Sequence, residues 1–347
     1  MKFILLLVLL SKISFILNED KSITIPLVVS TYGVPGIRLS LGNPPQSFEF
    51  YVSTILHKTY IISYDSYKEG FHIKNSTTFN YVSDTPVAFP SISENAEGII
   101  SKDTLTLDTL KLDNFDFILM TKGNFGFHYI GSIGFEYKPE NEDDYKYSLV
   151  NRLYDTGAIS HKVFYFVKKY NTITLTIGTF PNDYFTDKRY KFCSLSPNAN
   201  WQCIMNAVYF DDVLYPVRAF VNLSMSGNII CVDDNIYNQI KNKYFIEAMQ
   251  KSLCLEDKRD GKKTLICIYP FQIPEDPDIS FMFGKWSLTF KLNKLFFISG
   301  DYDKWLSIMK CNANDFVWSM GYYYIPNSVI VFDKENKRLG INLNNVN

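Results

Sequence analysis

The sequence has no charge excess: 35 Lys and Arg against 36 Asp and Glu leave a formal net charge of -1. A chain this balanced has no overall field to draw it to nucleic acid or to an anionic membrane, and neither is expected as a partner. It has no low-complexity tail, and its frequent Lys and Asn residues are scattered. Histidine is scarce. His57, His72, His128 and His161 show no metal-ligand spacing, so no metal or cofactor is expected and packing or surface roles are assigned to them. After Leu10 no apolar run is long enough to cross a bilayer, so no membrane span is expected after the leader. The last residues, Asn344 to Asn347, carry neither a retention signal nor a lipid-anchor signal.

What is present begins with a leader. Lys2 supplies a positive end and Phe3 to Leu10 is unbroken apolar sequence, followed by Ser11 and Ser14 and then by charged Glu19, Asp20 and Lys21. A short, terminal run of this kind reads as a signal peptide over residues 1–18 rather than as a buried first strand. It directs the chain to the secretory pathway, with an extracellular or an endolysosomal or vacuolar lumen as destination. There the six cysteines can oxidise.

The 347 residues suffice for two lobes, each with a core. Aromatic residues reach 16%, which suits many half-buried strands. Phe48, Phe50 and Val52 alternate with Glu49 and Tyr51, and Ile173, Leu175 and Ile177 alternate with threonines. Leu105, Leu107, Leu110 and Leu112 alternate with a slip of register between them. Helical patterns are short, at Tyr147 to Tyr154 and Asn235 to Gln250. The fold class is therefore all-β, of sandwich or barrel type, with a few short helices.

From Gly36 the chain reads GIRLSLGNPPQSFEFYVSTILHKTYIIS. Gly42, Pro44, Pro45 and Gln46 match a strand–turn element that opens the pepsin-like aspartic proteases (family A1), and the whole stretch resembles that opening. The resemblance continues in order: Gly98 to Thr104; Gly131, Ile133 and Gly134; Leu153 to Phe164; Trp201; Trp318, Gly321 and Tyr322; and Val329 to Ile341. It implies a two-lobed fold with a central cleft, an N-terminal lobe over 19–189 and a C-terminal lobe over 190–347. It also implies an inhibitory prosegment of some tens of residues in active members, whereas here the strand pattern begins near Ile23, just after the leader.

The family's chemistry needs one aspartate from each lobe, sharing a proton because like charges that close cannot both ionise. Each stands in an Asp-Thr-Gly-Ser or Asp-Thr-Gly-Thr loop. Aligned without gaps, the first loop has Ser53 at the Asp position, followed by Thr54, Ile55 and Leu56, with Tyr60 where the family has Trp. In the second loop Asn222 falls on the Asp position, followed by Leu223, Ser224 and Met225, and Ser226 keeps the family's following Ser. Neither a serine hydroxyl nor an amide is a useful base, so no catalytic residue is assigned. The flap tyrosine falls on Ser91. Asp155-Thr156-Gly157 copies the loop motif, but it follows a helical pattern and Gly157 reads as the residue that ends that helix. A Ser53–His57 nucleophile pair lacks a visible orienting acid.

The family commonly bridges the segment flanked by Cys267 and Cys311, so that disulfide is expected. Cys193, Cys203, Cys231 and Cys254 stay unassigned between disulfides, Cys193–Cys203 across a turn being one, and buried thiols. Asn75-Ser76-Thr77 is a glycosylation acceptor, while Asn222-Leu223-Ser224 matches the pattern but lies on the expected cleft floor and is expected to stay unmodified. The expectation is a secreted, monomeric, catalytically inactive aspartic-protease homologue that binds a peptide or protein in the cleft. The alternatives are an active endopeptidase with an atypical site, and a structural or surface protein with an unused cleft.

Overall fold

The computed structural model describes residues 20–343 apart from 31–33, 90–94, 124–128, 137–142, 171, 196–200, 226–228, 260–261, 300–302, 312–316, 322–324 and 326. The expected signal peptide, Ser91, His128, Ser226 and Tyr322 lie outside the described residues.

The described residues form two sheets, one of 14 strands and one of 11. The first runs from the edge strand Tyr190–Ser194 through Arg338–Leu343, Ser328–Asp333, Val163–Lys169, Thr172–Ile177 and Ile23–Val29 to Pro35–Leu41 and Gln46–Ser53. The closing strand pair, late in the chain, thus belongs to the first sheet: Phe164 pairs with Phe332, their rings stacked 4.7 Å apart. Trp201 is buried against both rings and donates its indole N–H to the Phe135 carbonyl at 2.7 Å. A buried tryptophan N–H needs such a partner, and this one ties the entry of the second lobe to the first.

Alternating side chains build these strands as the sequence pattern indicates. Phe50 and Val52 of Gln46–Ser53 are buried, as are Ile173, Leu175 and Ile177 of Thr172–Ile177. The slip between Leu107 and Leu110 is a hairpin turn, with those two residues paired and Asp108 at φ 53°. The helix expected over Tyr147 to Tyr154 spans Leu149–Asp155, with Ser148 capping it by accepting from the Asn151 N–H. The pattern over Asn235 to Gln250 divides into Asp234–Tyr244 and Ile246–Gln250, broken at Phe245.

The disulfides correct one expectation. Cys267 does not pair with Cys311. It stands directly opposite Cys254 in the Cys254–Arg259 and Lys262–Ile268 hairpin, Cα atoms 4.0 Å apart, and bonds to it. Cys311 bonds to Cys231, because the parallel strands Ile230–Val232 and Ile308–Lys310 bring their Cα atoms to 5.4 Å. Cys193 bonds to Cys203. In-register strand neighbours are already at bonding distance, so local pairing takes Cys267 before a longer bridge can.

Candidate functional site

The two loops at the lobe junction arise from the same local construction. Gln46–Ser53 ends at Ser53, paired in parallel with Gly134 of Gly131–Gly134. Val213–Ser224 ends at Ser224, paired in parallel with Gly321 of Val317–Gly321. In each lobe the next short strand, Tyr60–Ile62 or Ile230–Val232, returns antiparallel to that same partner. Ser53 and Ser224 are thus topological equivalents, and so are Thr54 and Met225.

This corrects the position expected for Asn222. Asn222 lies two residues upstream in the strand, paired with Gln202 on one side and Ser319 on the other. Two residues is one strand period, so both side chains share a face and periodicity alone cannot separate them. Leu223 then precedes the strand-end residue, and Ser224 is that residue rather than the loop's glycine equivalent.

Thr54 joins the loops. Its hydroxyl donates to the Leu223 carbonyl at 3.1 Å and accepts from the Met225 N–H at 3.2 Å, in a buried setting. The equivalent residue, Met225, has a buried thioether and no hydroxyl to return these bonds. The clasp is therefore one-sided.

Ser53 is fully buried, and its Oγ accepts from the Leu56 N–H at 3.1 Å and, more weakly, from the Ile55 N–H at 3.4 Å. This closes the turn in the way short polar side chains do at strand ends. Gly134 is required under this loop: a Cβ there would stand 2.6 Å from the His57 carbonyl. Ile55 is exposed, Leu56 half-buried and Met225 buried. Burial pushes the Tyr51 phenol well above its usual range, partly offset by a hydrogen bond from Ser53, and pushes Tyr60 up to about 12. The phenol that meets Ser53, that of Tyr51, is thus protonated at ordinary pH.

His57 has an acid partner that the sequence did not reveal. Its Nδ1 lies 3.1 Å from Glu136 Oε2, because Glu136 stands two residues after Gly134 and its N–H bonds the Leu56 carbonyl. The pair does not make Ser53 a nucleophile, since that hydroxyl is buried and taken up by backbone N–H groups. His72 stacks on Tyr64 at 4.3 Å and His161 faces Glu335 at 3.3 Å.

Asp155-Thr156-Gly157 ends the Leu149–Asp155 helix. Gly157 has φ 68°, and the Gly157 and Ala158 N–H groups bond the Tyr154 and Leu153 carbonyls. Asp155 accepts from the Tyr145 hydroxyl at 3.1 Å, away from both strand-end loops. Asn75 is exposed at the end of the short Ile73–Asn75 turn.

The family model for the eukaryotic aspartyl proteases matches residues 36–343, nearly all of the described chain. No curated protein matches it.

Proposed function

Since the chain belongs to the eukaryotic aspartyl protease family, we propose that it is a catalytically inactive member, secreted through the signal peptide over 1–18, that binds an extended peptide or protein segment in the cleft between its lobes. The observation that carries this is the pair of equivalent strand ends, Ser53 and Ser224. These are the positions at which the family's two aspartates would stand.

A serine there keeps one half of a carboxylate's role, accepting backbone N–H bonds that shape the loop. It loses the other half, since it neither takes a proton from water nor holds one shared with a partner. Extended peptides bind such clefts by strand-like backbone hydrogen bonds, which need no titrating group. The disulfides and the exposed Asn75 acceptor suit a lumenal or extracellular compartment.

The test is proteolysis of a diverse unfolded-peptide library by the purified mature chain, from acid to neutral pH, with and without an aspartic-protease transition-state inhibitor. No cleavage is expected, together with retention of a subset of peptides. Inhibitor-sensitive cleavage carried by the chain itself would overturn the inactive assignment and leave the family membership standing.

A further inference from the structure

Away from the strand-end loops, the edge strands of the two sheets meet at a corner. Tyr190–Ser194 is the last strand of the first sheet and Trp286–Lys291 the last of the second. The Trp286 indole N–H donates to the Phe192 carbonyl at 3.3 Å and ties the two edges. A cleft of about 560 Å³ opens there, lined by Lys188, Arg189, Lys191, Lys285, Trp286 and Ser287.

The charge of this cleft is uneven. Arg189 is held by Asp187 at 2.7 Å, with Asp183 at 4.0 Å, and Asp187 also accepts from Asn342 at 3.1 Å. Lys188, Lys191 and Lys285 are exposed, and none makes an ion pair among the described residues. Three cations share one concavity in a chain whose overall charge is -1. A bound anion would relieve their mutual repulsion. Beside them stands Trp286, half-buried, with Phe283 stacked on it at 4.6 Å. An indole supported in this way gives a flat, apolar wall next to the cations.

We propose that this corner is a binding site for a sulfated glycan chain, with a sugar ring against Trp286 and sulfates on the three lysines. Lysine suits sulfate, since its ammonium is a compact point charge on a flexible stem and needs no planar partner. The cleft's shape favours this over nucleic acid, which wants a long basic stripe, and over a membrane, which wants protruding apolar side chains. None of the described strand-end loop residues lines the cleft, so the site is independent of the proposed peptide cleft.

The test is titration calorimetry of the full mature chain with a heparin-derived hexasaccharide and with its desulfated counterpart. The sulfated sugar is expected to bind with salt-sensitive affinity and the desulfated one not to bind. K188Q/K191Q/K285Q should weaken binding about tenfold or more with an unchanged melting temperature. W286L should weaken it while leaving its salt dependence unaltered. Equal binding of the desulfated sugar, or wild-type affinity in the triple lysine variant, would overturn the site. Equal or tighter binding of single-stranded DNA or of phosphatidylserine vesicles would overturn the glycan assignment.

Discussion

The Thr54 hydroxyl accepts the backbone N–H of Met225 at 3.2 Å, a bond between residues 171 apart in sequence and carried by different sheets. The same hydroxyl donates to the Leu223 carbonyl, so one small side chain satisfies two buried backbone groups of the opposite lobe. Because Met225 returns nothing equivalent, Thr54 holds the junction of the two loops without a symmetric counterpart.

Replacing Thr54 tests that arrangement. Thr54→Val keeps the shape and strands both backbone groups, so it should cost about 2–4 kcal/mol. Thr54→Ser, which keeps the hydroxyl, should cost far less. Urea midpoints of the two variants provide the measurement, and equal midpoints would mean that the clasp does not stabilise the junction.

Peptide mapping under non-reducing conditions should recover Cys193–Cys203, Cys231–Cys311 and Cys254–Cys267, with no peptide joining Cys267 to Cys311. The bridges should differ in weight. Cys231–Cys311 closes 80 residues and Cys254–Cys267 only 13, so chain entropy assigns about 4–5 kcal/mol to the first and about 3 kcal/mol to the second. Melting of the two Cys→Ser double variants should follow that order.

Lys168, in the strand Val163–Lys169, gives a pH signature. Burial pushes its amine down to about 8, below the value near 10.4 of an unfolded lysine. Above the unfolded value both states are neutral and nothing is lost. As pH falls toward 8 the unfolded chain takes up the proton first, so stability falls, and below that it stays level. Lys168→Met should therefore be more stable than the wild type at neutral pH, with the gap narrowing from about pH 8 to about pH 10. Ionisation of buried tyrosines such as Tyr60 affects both proteins alike and cancels in the difference. A gap that does not change with pH would show that the amine is not desolvated.

Much of this molecule could be read before any coordinates. Strand alternation at Phe48 to Val52 and Ile173 to Ile177, the helix stop at Gly157, and an ordered series of family motifs from Gly36 to Ile341 together specified an all-β chain in two lobes. The Ser53–Thr54 loop was also legible, because Gly42, Pro44, Pro45 and Gln46 anchor the alignment a few residues upstream. Such features are local: turn geometry and the period of two act over neighbouring residues.

Three things were decided only in the tertiary structure. The second loop, AFVNLSMSG, retains none of the family's Asp-Thr-Gly, and Asn222 and Ser224 face the same way, so only the parallel pairing with Gly321 and the bond from Thr54 selected Ser224. Cys267 was drawn to Cys254 by hairpin register. Glu136 met His57, and Trp286 met Lys188 and Lys191, because strands far apart in sequence end at one place. The physical reason is common to the first and the last. Sequence dictates which way a side chain points along its own strand, but which strands lie together is settled by burial of the whole core, and chemistry between lobes depends on that second decision.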